Sequence, residues 1–213
     1  MPRMRELEAK LVVRDEASFR ALGALDRIGR LSVRLRTTCL QQDTYLDTVS
    51  LRLYRAGYAC RVRRVGPRAL VTLKGLGAVA GAIHAREELE LEIGDPSVEA
   101  VLRLEEEPGP LVRRLAGGEQ VVPLFSLVTE RRLSDVGDTT RKCFEMALDR
   151  TRFSGPRGET NLLEVELESV DGDLGLLEEA AADLRRRFGL TASGLSKFER
   201  GLRWAGIPAP SGQ

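Results

Sequence analysis

The residues best suited to chemistry come first in this chain: Glu6, Glu8 and Lys10, two residues apart in Glu6-Leu7-Glu8-Ala9-Lys10-Leu11. In an extended strand alternate side chains point to opposite faces, so the two carboxylates and the ammonium share one face while Leu7, Ala9 and Leu11 share the other. Carboxylate oxygens at that spacing can hold a hard divalent cation, and an ammonium beside them can hold the anion that comes with it. One such strand alone is ordinarily a charged face turned to water. Repetition changes the reading. Arg86, Glu88, Glu90 and Glu92 alternate with Leu89, Leu91 and Ile93, and Glu164, Glu166 and Glu168 alternate with Leu163, Val165 and Leu167. Arg61 and Arg63 alternate with Cys60 and Val62, and Lys74 ends Val71-Thr72-Leu73. A solvated sheet face mixes Thr, Ser and Gln with charges paired across strands. Here acids collect on some strands and cations on others, which points to a shared charged interior.

The elements that must carry these rows can be read around them. Asp15 is placed to cap a helix with Phe19, Leu22, Leu25 and Ile28 on one apolar stripe. Ser32 to Thr48 reads as extended, with Tyr45 and Asp47 on one face, and Val49 to Ala56 as a short helix stopped by Gly57. Tyr58 to Val65, Gly66-Pro67 and Arg68 to Lys74 form a hairpin, and the glycine-rich stretch Gly75 to Ala85 reads as a flexible loop before a strand over Arg86 to Ile93. Asp95-Pro96-Ser97 opens a helical region broken at Pro108-Gly109-Pro110 and resumed over Leu111 to Leu115. Strands follow over Pro123 to Leu133, Arg141 to Asp149 and Asn161 to Glu168, with Thr151 to Thr160 as a turn. Leu174, Leu177, Ala181, Leu184 and Phe188 define an amphipathic helix ended by Gly189, and a short helix falls near Ser196 to Gly201. The helical stripes need an apolar partner, and the aliphatic strand faces supply it. The expected class is therefore α+β: about eight mostly antiparallel strands closed into a barrel with a charged interior and helices packed outside. Residues 1–205 read as a single domain and 206–213 as a disordered tail.

Composition narrows the partners. Lys+Arg 33 against Asp+Glu 32 leaves a formal charge of +1, so no global field favours nucleic acid or an anionic membrane, and any anion site must be local. Cys39, Cys60 and Cys143 are widely spaced, fit no zinc pattern and cannot all pair, which suits a reducing compartment. No apolar leader and no bilayer-length apolar run is read, so the expectation is a soluble cytoplasmic protein, monomeric or homodimeric. His84 is read as an exposed loop residue, Trp204 as packing on the barrel exterior, Cys60 as facing the outer apolar layer, and Arg185-Arg186-Arg187 and Glu105-Glu106-Glu107 as solvated surface.

Taken in order, Glu6-x-Glu8-x-Lys10, Tyr45-Leu46-Asp47-Thr48, Cys60-Arg61-Val62-Arg63-Arg64, Thr72-Leu73-Lys74-Gly75, Arg86-x-Glu88-x-Glu90, Leu163-Glu164-Val165-Glu166 and Ser196-Lys197-Phe198-Glu199-Arg200-Gly201 resemble the CYTH family, the triphosphate tunnel metalloenzymes. The resemblance runs from residue 6 to about residue 204. It implies an eight-stranded tunnel that binds a triphosphate group with magnesium or manganese, in a family containing inorganic, thiamine and RNA triphosphatases and class IV adenylyl cyclases. By resemblance, Lys10, Arg61, Arg63, Lys74, Arg86, Arg131 and Lys197 hold phosphate oxygens. Glu6, Glu8, Glu164 and Glu166 hold metal, with Glu88, Glu90 and Asp149 as supplements, and Lys10 stands at the reacting end beside the catalytic Glu6 and Glu8. The resulting expectation is hydrolysis of inorganic triphosphate to pyrophosphate and phosphate. Cyclisation of ATP, hydrolysis of thiamine triphosphate, and binding of polyphosphate or a nucleotide without turnover are the alternatives.

Overall fold

A computed structural model describes residues 4–155 and 158–208. In chain order its elements are β1 (Met4–Val12), α1 (Glu16–Gly23), β2 (Arg27–Ile28), β3 (Leu31–Thr48), α2 (Arg52–Arg55), β4 (Tyr58–Val65), β5 (Arg68–Gly75), β6 (Ala78–Ala80) and β7 (Ile83–Ile93). They continue with α3 (Val98–Arg103), α4 (Gly109–Ala116), β8 (Val121–Gly137), β9 (Lys142–Gly155), β10 (Gly158–Ser169), α5 (Leu174–Phe188), β11 (Thr191–Ala192) and α6 (Lys197–Ala205).

Alternation of apolar and charged residues makes the strands two-faced, and pairing turns them into a ring. The order is β1-β10-β9-β8-β3-β4-β5-β7, and β7 pairs back to β1, so eight antiparallel strands close on themselves. Closure satisfies the edge groups of every ring strand along the paired lengths. β2, β6 and β11 are short additions to β3, β7 and β1.

The outward faces are apolar and the helices cover them. Ala9, Leu11, Met146, Leu148, Val165 and Leu167 meet Phe19 and Leu22 of α1 and Leu177, Ala181 and Leu184 of α5 in one cluster. On the other flank Cys60, Val62, Val71 and Leu73 meet Leu53, Val101, Leu111 and Val112 from α2, α3 and α4. Each fully buried aliphatic side chain is worth roughly 1.5–3 kcal/mol relative to exposure. The expected caps are present: Asp15 accepts from the Ser18 N–H at 2.8 Å, Ser97 caps α3, and Gly189 ends α5 in the left-handed region at φ 63.

Several local expectations are corrected. Gly75 to Ala85 is not a loop throughout: β6 pairs with the start of β7, Ala80 opposite Ile83. His84 is consequently in a strand and fully buried, not exposed. The helix expected over Val49 to Ala56 is only Arg52–Arg55, because Leu51 turns into the left-handed region at φ 57 and Asp47 gathers the free N–H groups of Leu53 and Tyr54, both at 2.9 Å. The turn expected over Thr151 to Thr160 is mostly strand. β9 and β10 stay paired to Gly155↔Gly158, since Thr151 and Phe153 continue the buried alternation. Residues 209–213 of the expected tail lie outside the described residues, as do residues 1–3. No helix among the described residues is long and apolar enough to cross a membrane.

α6 closes one end of the ring. Its start is fixed by a capping box in which Ser196 and Glu199 satisfy each other's backbone N–H groups. Phe198 then stacks between Tyr45, Phe125 and Tyr54, with ring centroids at 5.3, 5.9 and 5.5 Å. Trp204 belongs to this plug, 6.4 Å from Phe153, instead of lying on the outer face. Gly201 sits where any Cβ would collide with the Phe125 ring. Gly201→Ala is therefore expected to lower stability by about 1–3 kcal/mol through overpacking, read as a lower urea midpoint; an unchanged midpoint would contradict the tight seating of α6.

Candidate active site

The inward faces line a cavity of about 850 Å³ that contains Glu6, Glu8, Lys10, Arg61, Arg63, Lys74, Arg86, Glu88, Glu90, Arg131, Glu166 and Lys197. Ring closure is what gathers them, since they come from β1, β4, β5, β7, β8, β10 and α6. Asp149 and Glu164, the remaining residues singled out from the sequence, lie beneath this lining, both buried and both bound to Lys197. Glu92, expected on the same row as Glu88 and Glu90, instead falls at the exposed end of β7, where it pairs with Arg68 at 2.8 Å.

Cross-strand register sets the pairs. Lys10 lies opposite Glu166, and its Nζ is 3.1 Å from both Glu8 Oε1 and Glu166 Oε1. Lys74 lies opposite Glu88, and its Nζ is 3.4 Å from Glu88, 3.7 Å from Glu8, and in contact with Glu6. Arg131 faces Asp149 in a forked pair at 2.8 and 2.6 Å and reaches Glu166 at 2.7 Å. Lys197 Nζ reaches in from α6 to Asp149 and Glu166, both at 2.9 Å, and Glu164 at 3.1 Å. Arg61 is more loosely held, 3.8 Å from Glu88 and 3.9 Å from Asp43. Glu90 accepts from Thr72 Oγ1 at 2.9 Å.

Three contributors carried no weight in the sequence reading. Asp43 is fully buried and holds Arg63 in a fork with both bonds at 2.7 Å. It lies two residues before Tyr45, so strand alternation already placed it on the inward face. His84, two residues before Arg86, takes the same face by the same rule; it bonds Arg86 Nη2 through Nδ1 and the Ser193 carbonyl through Nε2 at 2.9 Å. Ser193, between β11 and α6, also contacts Glu164 through its hydroxyl at 3.2 Å and has no periodic signal to reveal it.

The electrostatics separate the carboxylates. Burial pushes the Glu6 carboxyl up, Glu8 and Glu88 add to this, and Lys74 offsets it only in part, leaving Glu6 at about 7. Burial also acts on Glu88, yet Lys74 and Arg61 hold it at about 2. Glu166 is driven well below the ordinary carboxylate range because Lys10, Lys197 and Arg131 together outweigh burial. Glu168, opposite both Glu8 and Glu145, is raised by burial and by Glu8. Burial lowers His84, and Arg86 and Lys10 lower it further, which favours the neutral ring.

The donor set suits a hard divalent cation. The oxygens Glu6 Oε2, Glu8 Oε1 and Glu164 Oε2 are buried without a hydrogen bond of proper geometry although each is beside a cation. A carboxyl held at about 7 among other acids is a position that a proton or a metal ion stabilises. Among the described residues no three such ligands already converge on one point; Lys10 and Lys74 lie among them.

This fold is shared with several solved structures. HpAC1 from Hippeastrum, a candidate adenylyl cyclase described as revealing a dominant triphosphatase activity, superposes with a TM-score of 0.74 at 20% identity, covering 96% of this chain and 98% of that one. A candidate adenylate cyclase from Bacillus halodurans gives 0.64 at 17% identity, covering 92% and 97%. The PH1819 protein of Pyrococcus horikoshii gives 0.57 at 18% identity, covering 92% and 98%. The sequence profile of the CYTH domain matches residues 4–202, and the chain belongs to the CYTH family.

The Asp43–Arg63 fork supplies a pH test. Burial raises the Asp43 carboxyl, but Arg63 and then Arg61 outweigh it and leave it at about 2, below its ordinary value of 3.8. Its stabilisation is fully present above that ordinary value and is lost as pH falls through about 2. Asp43→Asn strands a buried guanidinium, so a loss of about 3–5 kcal/mol at neutral pH is expected, together with a shallower acid limb in stability measured by urea titration across pH. An acid limb as steep as the wild type's would contradict the assignment.

Proposed function

We propose that the protein hydrolyses a triphosphate, with inorganic triphosphate as the preferred substrate and pyrophosphate and phosphate as products. The observation that carries this reading is the enclosure of Lys10, Arg61, Arg63, Lys74, Arg86, Arg131 and Lys197 in one cavity with a row of carboxylates. Such a lining matches a compact polyanion accompanied by metal better than either alone, because the carboxylates already neutralise most of the cationic field. The activity described for HpAC1 supports hydrolysis over cyclisation.

Each group has a role its position supports. The guanidiniums of Arg61, Arg63, Arg86 and Arg131 present forked donors to phosphate oxygens, and Lys74 and Lys197 act as point charges. Glu6, Glu8, Glu164 and Glu166, supplemented by Glu88, Glu90 and Asp149, would hold magnesium or manganese. When bound, that ion offsets charge on the transferred phosphoryl group and lowers the pKa of water. Lys10, between Glu8 and Glu166, would orient the attacking water. The seated α6 keeps bulk water from one end of the cavity, so positioning and fixed charge supply much of the rate gain.

A second reading is favoured by the other end, where Val65, Leu70, Leu133 and Val170 join the lining. These apolar groups, set among Gln41, Lys142, Glu145 and Ser169, leave a surface for the organic part of a nucleotide, which keeps ATP as a substrate for hydrolysis or cyclisation.

The test is phosphate and pyrophosphate release from inorganic triphosphate, ATP and thiamine triphosphate with magnesium or manganese. Metal-dependent phosphate release from inorganic triphosphate is expected, reduced roughly 100-fold or more in Lys10→Ala and abolished in Glu6→Gln/Glu8→Gln. Pyrophosphate and cyclic AMP from ATP, without phosphate, would make the protein a cyclase; tight binding without turnover would make it a binding module.

A further inference from the structure

Arg86 is nearly fully buried, yet among the described residues it has no forked carboxylate partner of the kind that holds Arg63 and Arg131. Its Nε is buried without a hydrogen bond, and the Glu8 Oε1 atom lies 4.0 Å away. Among the described residues, its guanidinium hydrogen-bonds through Nη2 to His84 Nδ1. An arginine has only donors, so Nδ1 must accept, and the imidazole proton then sits on Nε2. That proton has a receiver, the Ser193 carbonyl at 2.9 Å. Ser193 is itself fixed, because its N–H donates to the Lys10 carbonyl at 3.0 Å and Arg200 donates to its hydroxyl at 3.0 Å.

We propose that His84 is a positioning residue for anion binding: a neutral acceptor, locked in one tautomer by the Ser193 carbonyl, that aims the Arg86 guanidinium into the cavity without neutralising it. A carboxylate in its place would hold Arg86 more strongly but would cancel the charge that an incoming phosphate needs. A neutral ring nitrogen orients the fork without adding a negative charge beside it, so its positive charge stays available to the ligand. The same ring ties the β11–α6 connection to β7. This inference rests on the triphosphate reading given above.

Two substitutions separate the ring's two bonds. Asn places an acceptor near the Nδ1 position, and Gln places a donor near the Nε2 position. Binding of a nitrogen-bridged triphosphate that resists hydrolysis, measured with magnesium by calorimetry, should stay near wild type in His84→Asn. It should weaken about 10- to 100-fold in His84→Gln. In an Arg86→Ala background His84→Gln should cost nothing further. In the ligand-free wild type, nitrogen resonances of His84 should show the Nε2-protonated ring, with Nδ1 shifting on Arg86→Ala. A proton on Nδ1, retention of binding by Gln but not Asn, or an equal loss with and without Arg86 would each overturn the proposal. Failure of the wild type to bind the triphosphate at all, with the tautomer intact, overturns the proposed function and the ligand end of this inference. Binding with an additive cycle overturns this inference alone.

Discussion

The structure depends on one electrostatic constraint: charges enclosed by a sheet must be neutralised within it. An unpaired buried ion costs several kcal/mol even after relaxation, and this ring encloses many. The register meets the cost by setting acids against bases on neighbouring strands, Lys10 against Glu166, Lys74 against Glu88, Arg63 against Asp43 and Arg131 against Asp149. Because side chains alternate with a period of two, a slip of one residue would send a whole row to the outer face. The aliphatic clusters under the helices oppose that slip from the other side of the same strands.

The pairing is not uniform, and its defects are where ligand chemistry belongs. Glu164 faces Asp149, and Glu168 faces both Glu8 and Glu145, so acids meet acids on the β1, β9 and β10 side of the ring. Lys197 relieves the first of these by reaching in from α6. Glu6, at about 7, stays under strain from Glu8 and Glu88. Arg86 and Arg61, by contrast, have no close forked partner. A patch where acids face acids, beside guanidiniums without a close forked carboxylate, is complementary to a metal and a polyphosphate arriving together.

The two ends of the ring differ in a way that gives the cavity direction. Aromatic stacking of Phe198 with Tyr45, Phe125 and Tyr54 seats α6 at one end and places Lys197 among the acids. The opposite end carries Gln41, Val65, Leu70, Leu133 and Val170 and, among the described residues, no such stack. Closure at one end limits water near the carboxylates and raises the worth of each fixed charge there.

Much of this was legible in the chain itself. Alternation in Glu6 to Leu11, Arg86 to Ile93 and Leu163 to Glu168 determined which residues share a face, and the apolar stripes of the helices determined that the other face is covered. Caps at Asp15, Ser97 and Gly189 were equally local, because a helix end is satisfied by groups a few residues away. His84 and Asp43 obey the same period-two rule but stand alone in their segments, so no repetition drew attention to them. What only the tertiary structure decided was partnership: Arg63 with Asp43, His84 between Arg86 and Ser193, Lys197 among three acids, and Trp204 inside the plug. Apart from the His84–Arg86 bond, those contacts join residues 20 to 109 positions apart in the chain. Periodicity along one strand says which way a side chain points; only closure of the ring says what it meets.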